Sequence, residues 1–286
     1  MMLLSWNCRG LGNSRTIRTL TNLVRNKKPH FVFLMETKMM KHKMEFLRNK
    51  LGFDSLFAVD CKGRSGGLIL LWNSDVQLEI HNYSRRHINA MIQNQNKAYT
   101  WKLRCFYGHP EVGKREEGWN ILRCVSQMAL SPWMCVGDFN EILTNSEKSS
   151  NIVRPRSQMK AFQSALEDCS IADLGFHGPK FTWCNGRFGG EFTREHLDRA
   201  VSNVEWNRIF DTVEVEVLAR ISSDHHPLLV HFSNSQEIHW TKYITFRFEA
   251  SWTKKSDYAP IMKKAWQVKQ RATEPWVRKS ENNLTV

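Results

Sequence analysis

The stretch WMCVGDFNEIL, residues 133–143, decides how this chain is read. Four apolar-leaning residues run without a break into Gly-Asp-Phe-Asn. A short, continuous apolar run bounded by a turn signal fits a strand buried on both faces. Such a strand, ending in an acid and an amide, holds Asp138 and Asn140 at the rim of a sheet. Two polar groups do little chemistry alone, so their partners must come from other strand ends.

The flanking segments supply those ends. LLSWN reads as a buried strand that stops at Asn7. SRTIRTLTNLVRNKK is helical, with Ile17, Leu20, Leu23 and Val24 on one face and Ser14 as the N-cap. Pro29 bars further helix, and FVFLMET is a second apolar strand that runs into Glu36. Residues 40–51 predict a helix, with Met44, Leu47 and Leu51 in register and Gly52 as its stop. SLFAVD, GGLILLW, VQLEIHNYS, INAMIQ and YTWKLRCFYG are strands whose separators suit antiparallel hairpins, and the last ends at Tyr107. Helices are predicted over 114–129, through Trp119, Leu122 and Val125, and over 157–169, through Met159, Phe162 and Leu166. KFTWCN, HLDRAVS, TVEVEVLA and HPLLVHF are late strands. The order predicts an α/β domain over residues 1–233, with two sheets packed face to face and helices outside. The hydrophobic pattern fades after Phe232, so 234–286 reads as a basic tail, part helix and part disorder.

Composition narrows the class. The chain has 286 residues, 41% hydrophobic and 24% charged, an ordinary globular balance. No apolar run is long enough for a helical membrane span, and no membrane partner is expected. The formal charge of +13 favours a polyanion, whether nucleic acid, an anionic surface or a phosphorylated ligand, although solubility alone also explains it. Seven Cys, an odd number with no CxxC pair, read as reduced intracellular thiols and not as a disulfide frame or zinc site.

Polar residues at strand ends recur in order: Asn7, Glu36, Tyr107, Asp138, Asn140, Asp198, and then Ser223, Asp224 and His225. Gathered at one rim, they suit metal-assisted phosphoester hydrolysis. A hard divalent cation takes one or two carboxylates. A further carboxylate aligns or deprotonates water, and an imidazole oriented by another acid donates to the phosphate. Singly, each has a plainer reading. Glu36 could be surface, Asn7 a turn residue, GDFN an Asx-turn and Asp224 a turn cap. Asp198 could pair with Arg199 on the surface. Of His225 and His226, which alternate across a strand, one alone can face the rim.

The motifs SWNCRGLG, METK, FYGHP, GDFNE, HLDRA and SDHHP, in that order, resemble the endonuclease/exonuclease/phosphatase family. The resemblance is nearest to the endonuclease domain of plant LINE-type (non-LTR) retrotransposons, and it covers residues 2 to 233. It implies the DNase-I-like fold, a four-layered α/β sandwich of two packed mixed β-sheets flanked by helices. It implies Glu36 as the main Mg²⁺ ligand, with Mn²⁺ as an alternative ion and Asn7 beside it. Asp138 then positions and activates water, Asn140 and His225 clamp the phosphate with Ser223 nearby, and Asp198 orients His225. Asp224 corresponds to a second metal-side carboxylate, and Tyr107 to a donor to the phosphate or leaving oxygen. The implied reaction is a nick in duplex DNA that leaves a 3′-hydroxyl. The implied partner is DNA, with no stable protein partner, and the implied location is intracellular and nuclear. Two positions depart from the family pattern: Arg9 stands where relatives often carry an acid, and His196 where Arg or Lys is more usual. No reverse-transcriptase-like stretch follows, so a fragment or a decayed element is expected. Target choice is expected to lie in surface loops such as 85–98 and 186–193.

Overall fold

Period-two alternation along buried strands sorts the side chains into layers, and it does so in a computed structural model of the chain. The structure describes residues 1–40, 43–63, 65–93, 99–126, 131–187 and 189–234. The chain divides after Ile238, and the second unit, with the tail expected at 234–286, lies outside the described residues except for Asn234. In order, the elements are β1 (Met2–Asn7), α1 (Ser14–Lys27), β2 (Phe31–Met35), α2 (Met44–Leu51), β3 (Ser55–Lys62), β4 (Ser65–Trp72), β5 (Gln77–Ser84), β6 (His87–Gln93) and β7 (Thr100–Tyr107). There follow α3 (Arg115–Ser126), β8 (Trp133–Asp138), β9 (Lys148–Ser149), α4 (Arg156–Asp168), β10 (Ile171–Asp173), β11 (Trp183–Cys184), β12 (Arg194–Glu195), β13 (Asp198–Asn203), α5 (Val204–Ile209), β14 (Thr212–Val217) and β15 (Leu228–Ser233).

Two six-stranded sheets result, in the orders β14-β15-β1-β2-β4-β3 and β10-β13-β8-β7-β6-β5, together with a small sheet β11-β12-β9. Each large sheet is mixed: β1–β2 and β7–β8 are parallel, and their neighbours are antiparallel. Leu3, Phe31, Phe33 and Leu70 of the first sheet pack against Ile88, Leu103, Met134 and Ala200 of the second. On the outer face of the first sheet, Leu4, Val32 and Leu71 meet Leu20 of α1 and Leu47 of α2. On the outer face of the second, Phe106 and Cys135 meet Trp119 of α3 and Phe162 of α4. The order is therefore helices, sheet, sheet, helices. Each fully buried Leu or Phe in these layers contributes about 1.5–3 kcal/mol.

The same alternation aims the strand ends. Asn7 continues the inward parity of Leu3, Tyr107 that of Leu103, Asp138 that of Met134, and Asp198 that of Ala200. Parallel strands end where their antiparallel neighbours begin: Asp138 is paired with both Tyr107 and Asp198. The polar ends thus share one edge of the sandwich and face the seam between its sheets.

Local differences from the sequence reading have local causes. Asn13, not Ser14, caps α1, because its side chain one residue earlier already accepts from the Arg15 N–H. α2 begins at Met44 rather than 40. KFTWCN pairs as a strand at Trp183–Cys184 alone. The six-residue α5, capped by Asn203, was not expected, being too short to show a period. Of the target loops, 94–98 and 188 lie outside the described residues. All seven cysteines are free. No helix among the described residues is long and apolar enough to cross a membrane.

Candidate functional site

Asp138 is fully buried at the end of β8 and collects the donors of the rim. Its Oδ1 accepts from the Asn140 backbone N–H at 2.9 Å, so GDFN forms an Asx-turn. Its Oδ2 accepts from Asn7 Nδ2 at 3.0 Å and from Asn140 Nδ2 at 3.1 Å. Asn140 sits at φ +55°, a left-handed geometry that Asn tolerates, and its Nδ2 also donates to the Gly108 carbonyl at 3.0 Å. Gly137 is required here, since a Cβ on it would collide with the Phe106 carbonyl of the neighbouring strand.

Asn7 Nδ2 reaches from Asp138 to Glu36 Oε1 at 3.3 Å, and so joins the two sheets. Glu36 is held at φ +51°, which costs a non-glycine residue about 1–2 kcal/mol. Strain of this kind concentrates where a side chain must be aimed. Tyr107 donates its hydroxyl to Glu36 Oε1 at 2.7 Å, so its proton is committed to the carboxylate. Burial raises the Glu36 pKa, but the hydrogen bonds from Tyr107 and Asn7 and the nearby Lys38 outweigh it, and the net shift is downward. Tyr107 itself is pushed well up by burial and by the charges of Glu36 and Asp138, so it remains a phenol.

On the other side of Asp138, His225 Nδ1 lies 2.8 Å from Asp198 Oδ2. His225 Nε2 stands 3.7 Å from Asp138 Oδ2, beyond hydrogen-bond length. Burial lowers the His225 pKa, yet Asp198 and Asp138 outweigh it and raise it to about 10. The ring is therefore an imidazolium with Nδ1–H on Asp198 and Nε2–H uncommitted. Burial pushes the Asp138 carboxyl up to about 7, with His225 opposing and Asp198 adding to the shift.

Ser223 and Asp224 play supporting parts. Ser223 donates to the Asn7 carbonyl at 2.7 Å and accepts from the His225 N–H at 3.1 Å, which fixes the loop against β1. Asp224 Oδ2 takes the Trp183 indole N–H at 3.0 Å and the Arg9 guanidinium. Arg9, the residue in place of an acid, thus neutralises Asp224 directly. His196 is buried, bonded through Nδ1 to the Lys180 carbonyl at 2.9 Å and stacked on Phe176. Burial and Arg199 lower its pKa, so it is a neutral structural group. Arg199 does not pair with Asp198. It lies on the opposite face of β13, buried, and bonds Glu147 and Asp173.

Sequence reading missed Thr182, which ties the Asp198 strand to the loop that carries His225. Its buried Oγ1 accepts from the N–H groups of both Leu197 and Asp198, at 2.9 and 3.0 Å. Its carbonyl accepts from His226 N at 2.7 Å, and Trp183 forms a bridge with His225. A strap over 182–184 therefore joins the start of β13 to the start of β15. The Thr in KFTWCN carried no signal, because a lone hydroxyl in a short strand reads as surface. Thr182→Val strands two buried N–H groups and is expected to destabilise the fold by about 2–4 kcal/mol. Thermal unfolding checks this, and a drop of about 5–10 °C in Tm is expected.

Two groups of side chains compete as a cation site. Asp138, Asp198 and His225 bring ligand atoms within 4.8 Å of one another. That triad is buried, and a proton between His225 and Asp198 already compensates it. Glu36 is ionised and its side chain is 22% exposed, and Oε2 has Lys38 Nζ at 3.4 Å as its partner. A hard divalent cation favours an ionised, solvent-reached carboxylate. Asn7 turns its Nδ2 to Glu36 and its Oδ1 to the Arg9 N–H, so the residues fit such an ion at the Glu36 carboxylate better than at the triad.

A profile of the endonuclease/exonuclease/phosphatase family matches residues 4–225. Among curated proteins none matches the sequence. Solved structures share the fold at low identity. The endonuclease domain of TRAS1, a telomere-specific non-LTR retrotransposon, has TM-score 0.62 and 16% identity, covering 81% of this chain and 97% of that one. A Neisseria 3′ phosphatase bound to product DNA hairpin has TM-score 0.63 and 17% identity over 82% and 99%. An AP endonuclease from Archaeoglobus fulgidus has TM-score 0.63 and 16% identity over 81% and 99%.

Proposed function

Because this chain belongs to the endonuclease/exonuclease/phosphatase family, we propose that it is a Mg²⁺-dependent DNA endonuclease that nicks duplex DNA, derived from a non-LTR retrotransposon. The observation that carries this reading is the hydrogen-bonded line from Glu36 through Asn7 to Asp138, closed by the His225–Asp198 pair across a 3.7 Å gap. The net charge of +13 supports a polyanionic substrate.

The residues divide the work of hydrolysis. Bound at Glu36, a divalent cation would offset charge that develops on the phosphoryl oxygens. The Nε2–H of His225 donates to a phosphoryl oxygen, and Asp198 keeps that proton in place from the far side of the ring. Asn140 gives both hydrogens of its Nδ2 to Asp138 and the Gly108 carbonyl, and so holds the Asp138 carboxyl in position. Asp138, with a carboxyl poised near neutrality, orients water and accepts its proton as the new P–O bond forms. The P–O3′ bond breaks and the departing O3′ takes a proton from solvent water, leaving a 3′-hydroxyl and a 5′-phosphate. Tyr107 holds the Glu36 carboxylate in position.

Incubation with supercoiled plasmid tests the proposal. Conversion to open circles in Mg²⁺, its abolition by EDTA, and nicks that prime a polymerase directly are expected. Plasmid that stays closed in Mg²⁺, while the protein releases phosphate from soluble inositol phosphates, would move the function to another branch of the family.

A further inference from the structure

A second concentration of charge lies beside the rim, between the start of α1 and the loop that leads to His225. There a cleft of about 450 Å³ is lined by Arg9, Asn13, Arg15, Lys38, Arg220 and Ser222, among others. Two of its cations are committed, Arg9 to Asp224 and Lys38 to Glu36. Arg15 and Arg220 are exposed, and among the described residues neither pairs with a carboxylate. Cations gathered without counter-charge repel one another, and a bound anion relieves that repulsion. α1 has no acidic residue in its first turn, so the positive end of its dipole also faces the cleft uncompensated. The Ser222 hydroxyl is buried in the wall and has no hydrogen-bond partner among the described residues. A hydroxyl with no protein partner in a cleft wall has its proton available for a bound acceptor. Ser223 and Asp224 line the same cleft, which is therefore continuous with the catalytic rim.

We propose that this cleft is a phosphodiester subsite, holding a backbone phosphate that flanks the scissile one on a bound DNA strand. Arg15 and Arg220 supply its charge, and Ser222 donates a hydrogen bond to a phosphate oxygen. The subsite rests on the nuclease reading above and gives that reading a means of registering the strand, since phosphate contacts fix position without reading sequence.

The test titrates the full chain into a fluorescent duplex in EDTA, where nothing is cut, at a series of salt concentrations. Wild type is compared with the double variant Arg15→Gln/Arg220→Gln and with a control, Lys160→Gln/Arg208→Gln, that removes two exposed cations outside the cleft. The subsite double variant is expected to weaken Kd by about 10-fold. It should also flatten the slope of log K against log salt by about 0.9, the loss of one phosphate contact. The control should move Kd less than about 2-fold. In Mg²⁺ the cleft variant should raise KM for nicking and leave kcat unchanged. An unchanged Kd and slope, or an equal loss in the control, overturns the subsite. Wild-type protein that neither binds nor nicks duplex overturns the nuclease reading instead, so the two failures are told apart.

Discussion

Asp138→Asn is expected to lower the rate of plasmid nicking by about 10³-fold, the middle of the range for a general base. The carboxyl stands fully buried at the centre of the hydrogen-bonded line, with its oxygens satisfied by Asn7 and Asn140. An amide has nearly the same shape but cannot accept a proton from water. In its better orientation it also turns its NH₂ toward one existing donor, the Asn140 N–H, which costs about 1–3 kcal/mol. The loss of a buried charge offsets part of that, so the variant should remain folded. The effect should fall on kcat and leave KM close to wild type. For wild type the pKa of about 7 sets a sign: acidification protonates Asp138, and the rate falls as pH drops through this range. An adjacent cation favours the charged carboxylate and moves that limb to lower pH. Single-turnover rates between pH 5 and 9 check both statements. A substituted enzyme that keeps the wild-type rate would remove Asp138 from the chemistry.

His225→Ala should cost about 10³-fold in kcat, as loss of a transition-state donor does. Asp198→Asn should cost a large part of that, and the double variant should be no slower than His225→Ala alone, because the pair acts as one unit. Structure gives the reason. Asp198 Oδ1 is buried with no hydrogen-bond partner among the described residues, so the imidazolium on Oδ2 is the main compensation for this carboxylate. Removing the ring leaves a buried, uncompensated charge, at about 3–5 kcal/mol. The linkage has a definite direction. The folded pKa of His225 is raised, so its contribution to stability is fully present below the unfolded value near 6.5 and is lost as pH rises through about 10. An NMR titration of the metal-free protein should show the ring still protonated at pH 8. In Asp198→Asn the ring should titrate at lower pH. Independent, multiplicative losses in rate, or a ring that titrates near 6.5, would separate the two residues.

Much of this arrangement was legible in the residues. Continuous apolar runs mark strands covered on both faces, and β1, β2 and β8 are such strands. Their polar ends fall on one edge as a matter of topology, because a parallel strand and its crossover return to the same edge. Strand parity then turns Asn7, Tyr107, Asp138 and Asp198 inward. Contacts between residues remote in sequence were not legible. Nothing in KFTWCN says that Thr182 accepts two N–H groups from β13, and nothing in SWNCRG says that Arg9 reaches Asp224. The plain reading of Arg199 as a surface partner of Asp198 failed for a reason of period: neighbours on a strand face opposite ways. Tyr107 ends its strand as expected, but the partner of its hydroxyl, Glu36, is set by packing of the two sheets.

In the proposed mechanism the cation belongs to Glu36 and the buried triad works with protons. An anomalous difference map from crystals of this protein soaked in Mn²⁺ tests it most directly. The account predicts a peak about 2.1 Å from a Glu36 carboxylate oxygen, with the His225–Asp198 hydrogen bond intact. A peak ligated by Asp138, Asp198 and His225, with none at Glu36, would contradict it.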